Sequence, residues 1–449
     1  MLLTVEKLIY GGDGLARLPA DERGRGKAVF VPFVLSGEKV EAQLTEQKPG
    51  FARARVQNIV EPSPHRVAPS CPYFGECGGC HYQHADYAHQ LTIKEEILRE
   101  NLRRIAKLEL QCDVQIHAAD PWNYRNRTRL QIRTAPQFVT GYFRLSTHEV
   151  MSVEECPISS PLINRGIDAL WRTGRAHRMP AGIHELEFFA NADDSQLLVE
   201  VSCTPDARRA AVREWAELLR TEMPEISGVV AFRAQTQHAG KSGGRVPQPE
   251  KLLVHGDEHL IYKTQVADYR VSAGAFFQVN RYLTDELVKI VTNGQSGNLA
   301  VDLYSGVGLF STALARDFRH VLSVESSPIS TGGLQYNLPS NAEVIQAAAD
   351  QFLSGSEKSG RVRNGKVLPQ AGTPDLAVVD PPRGGLGERV AHLLAKLGAP
   401  RLVYVSCDVA TLARDLVVLL AEGYRVREAH LVDLFPQTYH LETVLHMER

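Results

Sequence analysis

The sequence predicts a multidomain chain: a small OB-like β-barrel over residues 1–62, a central α+β domain over 63–268 and a doubly wound α/β domain over 269–449. Three observations carry that reading. The 449 residues leave room for about three cores at roughly 150 residues each. The N-terminal stretch alternates apolar and polar positions in short runs. From about residue 270 helix-like and strand-like runs alternate, the pattern of a parallel sheet wrapped by helices.

Hydrophobic residues make up 43% and charged residues 23%, the balance of a globular chain, and no apolar run approaches the ~18 residues a membrane span needs. The segment Met1–Tyr10 lacks a basic leader and a small-residue cleavage site, so it is expected to be a first strand in a cytoplasmic protein. A formal net charge of -2 means that any nucleic acid must be held by local patches. Seven cysteines, an odd count, argue against a disulfide framework and for metal or catalytic use of some of them.

The barrel strands are expected over 2–8, 28–34, 39–44 and 53–59, separated by Gly11-Gly12-Asp13-Gly14 and Ser36-Gly37. Arg17, Arg23, Arg25, Lys27, Lys39, Lys48, Arg53 and Arg55 offer a basic face, with acids interleaved. A helix over 87–106 follows from the spacing of Leu91, Ile93, Ile97, Leu98, Leu102 and Ile105, a stripe that suits core packing. Residues 120–260 read as strands and hairpins with one helix over 207–221. In the last domain, strands are expected over 299–304, 321–325, 343–347, 376–380 and 401–406, and helices over 281–293, 310–317 and 386–397. The segments 237–249 and 354–372 read as surface insertions. Gly240-Lys241-Ser242 lacks the upstream glycine of a phosphate loop and is given no nucleotide role.

Chemistry concentrates at the ends of the late strands. Val301–Phe310 runs from a strand through Gly306 and Gly308 into a helix, and glycine lets backbone approach a ligand. Glu325, 23 residues past Asp302 at the next strand's end, is placed to bind ribose hydroxyls. Ser311 stands where the dinucleotide fingerprint needs glycine, which favours S-adenosylmethionine over NAD. In Asp380-Pro381-Pro382-Arg383 two prolines stiffen the turn that holds a carboxylate at the sheet edge. Cys407, flanked by Ser406 and Asp408, ends another buried strand and suits a nucleophile. Cys71, Cys77, Cys80 and Cys156 supply four thiolates, a set that fits tetrahedral zinc or a 4Fe–4S cluster equally by spacing. Cys112 and Cys203 match no ligand position. Arg125, Arg127 and Arg129 alternate along one strand face, the arrangement of phosphate contacts, and Phe276 and Phe277 serve either base stacking or the core.

The strings D-L-Y-S-G-V-G (302–308), D-P-P-R (380–383), V-S-C-D (405–408) and F-P-Q-T-Y-H-L-E-T-V (435–444) together resemble the RNA uracil-5 methyltransferase family, across essentially the whole chain. Residues 274–280 resemble that family's F-F-Q-V-N segment, and the N-terminal barrel is similar to a TRAM domain, the RNA-binding module of its ribosomal-RNA branch. The resemblance implies an S-adenosylmethionine pocket lined by Gln278, Tyr304, Gly306, Gly308, Glu325 and Asp380, with Asp350 towards the adenine. Asp380 would serve the uracil edge or the methionine end of the cofactor. The resemblance makes Cys407 the nucleophile and Glu442 the base, and it assigns Cys71, Cys77, Cys80 and Cys156 to a 4Fe–4S cluster. It names RNA as partner, 23S rRNA ahead of tRNA, with a target base extruded from its stack. Leu309 departs from members that carry a cofactor-contacting asparagine there. A non-catalytic RNA-binding iron–sulfur protein is the reading of a different class, and the presence of both Cys407 and Glu442 speaks against it.

Overall fold

Alternating small β-branched and polar residues build the N-terminal barrel, because one face of each strand must leave water. The computed structural model describes residues 1–19, 24, 26–233, 250–358 and 373–449. Strands Leu2–Thr4, Lys7–Leu8, Asp13–Arg17, Ala28–Pro32, Lys39–Gln47 and Phe51–Glu61 form one six-stranded sheet. Val29, Val31, Val40, Ala42, Ala52 and Ala54 fill its interior. The expected basic face differs from a free cationic patch: Arg17 pairs with Glu6, Lys39 with Glu61, Lys48 with Glu46 and Arg53 with Asp13. Acids thus answer these four cations, Lys27 donates to the Lys48 carbonyl at 3.0 Å, and Arg23 and Arg25 lie outside the described residues.

The central domain is a seven-stranded sheet running Val150–Ser152, Val139–Phe143, Arg127–Arg133, Ile183–Ala190, Leu197–Cys203, Ile226–Arg233 and Glu250–Gly256 in spatial order. Among the described residues two helices, Pro161–Arg175 and Arg209–Glu222, cover it, where sequence reading expects one. The additional helix, Pro161–Arg175, buries Leu162, Ile163, Ile167, Leu170 and Trp171. Its signals were local: Ser160 accepts the Ile163 N–H at 3.3 Å and Pro161 occupies the first turn. Gly166 lets this helix press onto the sheet, since a Cβ there would stand 3.0 Å from Phe188.

The last sheet has eight strands in the order Ala342–Gln346, Phe318–Glu325, Gly297–Leu303, Leu376–Val379, Arg401–Ser406, Glu442–Glu448, Arg425–Val432, Val114–His117. The first five are parallel, and Glu442–Glu448 runs antiparallel to both its neighbours. Chain order reverses between Gly297–Leu303 and Leu376–Val379, the switch point where open sheets of this kind hold ligands. The eighth strand, Val114–His117, comes from before the central domain and pairs His117 with Val432. The helix Tyr87–Asn101 also belongs to this layer. It runs into a π turn, Leu102–Ala106, and buries Ile93, Ile97, Leu98 and Leu102 among Leu402, Leu412 and Leu416. Residues 354–358, expected in a surface loop, instead close the helix Ala349–Lys358, while the remaining 359–372 and the whole of 237–249 lie outside the described residues. Among the described residues no helix is long and apolar enough to cross a membrane.

Candidate active site

The strand Gly297–Leu303 ends in a turn whose backbone L-residues rarely adopt: φ is 63° at Tyr304, 56° at Gly306 and 96° at Gly308. Glycine takes this conformation freely, but Tyr304 holds it at a cost of about 1–3 kcal/mol. A Cβ at Gly308 would come within 2.8 Å of Leu334. Glu325 braces the turn, accepting the Gly306 N–H at 2.9 Å and the Ser327 N–H at 2.6 Å. The Ser305 hydroxyl and one oxygen of Asp302 are buried with no hydrogen-bond partner among the described residues, as expected beside a polar ligand's seat. Burial pushes the Asp302 carboxyl up to about 7 against the Ser311 hydrogen bond. Burial, with the Asp350 and Asp415 charges adding, pushes the Tyr304 phenol up to about 12, so Asp350 shares this edge.

Gln278 is buried on a segment tied at both sides. Asn126 donates from Nδ2 to the Gln278 carbonyl at 2.9 Å and from its backbone to Val279 at 3.0 Å. Asn280 Nδ2 donates to the Leu434 carbonyl at 3.2 Å, which fixes the segment to the loop leading to Glu442.

Strand register brings the two chemical candidates together. Ser406 faces Thr443 across the antiparallel pair, so Cys407 and Glu442 are the next residues in register at the sheet edge. Glu442 is 4% exposed. Burial raises its pKa well above the carboxylate range, and the Asp380 charge adds to the rise. Burial, then Glu442 and Asp380, push the Cys407 thiol up to about 12, while the Arg383 guanidinium pulls it down. Burial and then Asp302 raise Asp380 in turn. Burial and Arg383 lower His440 to about 3, leaving a neutral ring whose Nε2 accepts from Arg383 at 3.3 Å.

The loop Asp433–Leu441 is held by the helix Tyr87–Asn101. Lys94, fully buried, donates to Asp433 Oδ1 at 2.6 Å and to the Phe435 carbonyl at 2.9 Å. Tyr87 donates to Asp433 Oδ2 at 2.9 Å. Gln90 and Gln437 exchange two hydrogen bonds of 3.0 Å.

Cys71, Cys77, Cys80 and Cys156 line one cavity of about 50 Å³ together with Arg125, Tyr142 and Ile158. Burial pushes the Cys77 thiol up to about 11, and Cys156 and Cys71 contribute. Among the described residues no group of three or more His, Cys, Asp or Glu side chains forms a metal-ion site as it stands.

Comparison with known proteins bears on this arrangement. Residues 86–449 match the family model of tRNA (uracil-5-)-methyltransferases, and residues 1–57 match that of the TRAM domain. The chain belongs to the tRNA (uracil-5-)-methyltransferase family. An uncharacterized RNA methyltransferase of Aquifex aeolicus is 33% identical, spanning 99% of this chain and 98% of its own. One of Halalkalibacterium halodurans is 30% identical over 99% and 96%. The crystal structure of Pyrococcus abyssi tRNA (uracil-54, C5)-methyltransferase with S-adenosyl-L-homocysteine has the same fold, with TM-score 0.71 over 100% of both chains at 23% identity. This chain is thus an RNA uracil-5 methyltransferase whose TRAM domain precedes the catalytic fold.

Some candidates of this methyltransferase stand elsewhere than expected. The arginine row is not a free phosphate-binding face. Arg125 abuts the cysteine cavity, Arg127 lies 3.1 Å from Glu187 with its guanidinium 4.2 Å from the Phe189 ring, and Arg129 pairs with Glu187 at 3.0 Å. Glu185 and Glu187 on the neighbouring strand answer the row, which alternation along one strand cannot reveal. Phe277 is core at 2% exposure, whereas Phe276 is exposed. Lys94 and Gln90 escape sequence reading, although a lysine directly after Ile93 on an apolar stripe was the available signal.

Proposed function

We propose that this enzyme methylates carbon 5 of a uridine in ribosomal RNA, 23S rRNA first, with Cys407 as nucleophile and Glu442 as base. The observation that carries the reading is the register of Ser406 with Thr443, which sets a thiol beside a buried carboxyl at a sheet edge. Carbon 5 of uracil is a weak nucleophile, so the ring must first be activated covalently. The Cys407 thiolate adds to carbon 6, and the displaced electron pair makes carbon 5 an enolate carbon. S-adenosylmethionine, when bound, supplies the electrophilic methyl group that carbon 5 takes. The Glu442 carboxylate then removes the carbon 5 proton, the carbon–sulfur bond breaks, and Cys407 leaves as thiolate. Asp380 shares the pocket and serves the uracil edge or the methionine end of the cofactor.

Gln278, Tyr304, Gly306, Gly308, Glu325 and Asp350 are the residues that would hold S-adenosylmethionine. The left-handed turn and the unpartnered Ser305 hydroxyl fit a polar ligand lying close to backbone. The four cysteines around one cavity fit a 4Fe–4S cluster, and because the methyl transfer needs no electron, that group's part is structural.

Transfer RNA is the second reading, favoured by the whole-chain likeness to an enzyme that its own description assigns to tRNA. Mass-spectrometric mapping of 5-methyluridine in rRNA and tRNA from a strain lacking the gene separates the two. Loss of one 23S site, restored by the wild type and not by Cys407→Ala, is the expected result. Loss confined to tRNA moves the substrate, and unchanged uridines in both overturn the proposal.

A further inference from the structure

The N-terminal barrel reaches into the catalytic edge through one side chain. Tyr10 sits in the turn between Lys7–Leu8 and Asp13–Arg17, where Gly11 and Gly12 have φ of 108° and 94°. The turn is pressed against the chain just after Cys80, since a Cβ on Gly12 would meet His81 at 3.2 Å. The Tyr10 hydroxyl donates to Asp408 Oδ2 at 2.9 Å. The other oxygen of Asp408 caps the helix Val409–Ala421 by accepting the Thr411 N–H at 2.9 Å. The Tyr10 ring stands edge-on to Tyr439, with centroids 5.7 Å apart, and Tyr439 packs in turn on His81 at 4.6 Å and His440 at 4.3 Å. Leu8 and Leu35 of the barrel belong to the same apolar cluster as Leu402 and Tyr404, so the turn is anchored on the catalytic sheet.

We propose that Tyr10 is a positioning residue for methyl transfer: a barrel side chain that holds the Cys407–Asp408 segment and the Tyr439–His440 segment at a fixed separation. The inference rests on the roles given above to Cys407 and Glu442. Pairing between these two strands ends at Ser406 and Thr443; Glu442 stays paired with Val432, but Cys407–Asp408 and Tyr439–His440 lie outside the strands, and no backbone pairing sets their separation. Tyr10 binds one loop by a charge-assisted hydrogen bond and the other by ring packing, which supplies that missing tie. Covalent addition and proton removal depend steeply on such placement, so the tie acts on the rate and not on RNA affinity.

Tyr10→Phe keeps the ring contact and removes the hydroxyl, while Asp408→Asn keeps a helix cap and removes the charge. Measured on the full chain with saturating RNA in single turnover, each is expected to slow methyl transfer about tenfold, with the dissociation constant for RNA within about twofold of wild type. The double variant should be no slower than either single one, because both remove the same charge-assisted bond. Wild-type rates in Tyr10→Phe, a change in RNA affinity alone, or additive losses overturn the proposal. A readout free of substrate is amide exchange in peptides covering 407–412 and 435–441, expected to quicken in Tyr10→Ala; unchanged exchange also overturns it. If the wild type methylates no RNA, the proposed function fails, and the exchange data alone decide whether Tyr10 ties the two loops.

Discussion

Cys407 stands out as the candidate nucleophile because a cysteine follows a buried apolar strand and is flanked by Ser406 and Asp408. Its ionisation is a different matter. Burial and the two nearby carboxyls push the thiol up to about 12, and Glu442 is raised as well, so the resting pocket keeps its protons. In the proposed reaction both groups act as anions, which sets the sign of the pH dependence. The alkylation rate of Cys407 by iodoacetamide, read on its own peptide by mass spectrometry, is expected to climb about tenfold per pH unit from pH 7 to 10. A plateau already reached at neutral pH would contradict the raised thiol. Methyl transfer should rise with pH over the same range and be absent in Cys407→Ala. None of this titration could be read from residue order, since the low-polarity surroundings are assembled from four separate segments carrying Asp302, Asp380, Cys407 and Glu442.

At the scale of elements, the helix Tyr87–Asn101 does more than fill a core. Its apolar stripe is visible in the sequence, but Lys94 within that stripe becomes intelligible only when Asp433, 339 residues away, is seen beneath it. Lys94→Met leaves the Asp433 carboxylate buried without its cation, and urea denaturation should show a loss of about 3–5 kcal/mol. Adding Asp433→Leu is expected to recover much of it, because two apolar groups replace an ion pair at little cost; no recovery would show that the loop needs the charge itself. The same limit explains the arginine row of Arg125, Arg127 and Arg129. The alternation of the row fits the strand Arg127–Arg133 that holds two of the three, yet the acids that pair with Arg127 and Arg129 belong to Ile183–Ala190. The helix Pro161–Arg175 was legible from its Ser160 cap and helical spacing, and its neighbouring strand runs obscured it.

For the whole molecule, the cysteine cavity and the barrel bear on one another, since His81, next to Cys80, packs on the same Tyr439 that Tyr10 touches. Protein purified without oxygen is expected to be brown and to carry about four irons, and Cys156→Ala to lose them; stoichiometric zinc with no iron would overturn the cluster. The residue string alone settled the barrel, the doubly wound domain and the glycine turn, because each is written in local periodicity or in short strings, whereas the link between Cys407 and Glu442 is only what the family resemblance implies. It could not settle that Val114–His117 crosses from before the central domain to complete the last sheet, or that Tyr10 of the barrel reaches Asp408. Those depend on which surfaces meet when apolar faces are buried together. That choice is made by burial summed over the whole chain, and no window of neighbouring residues carries it.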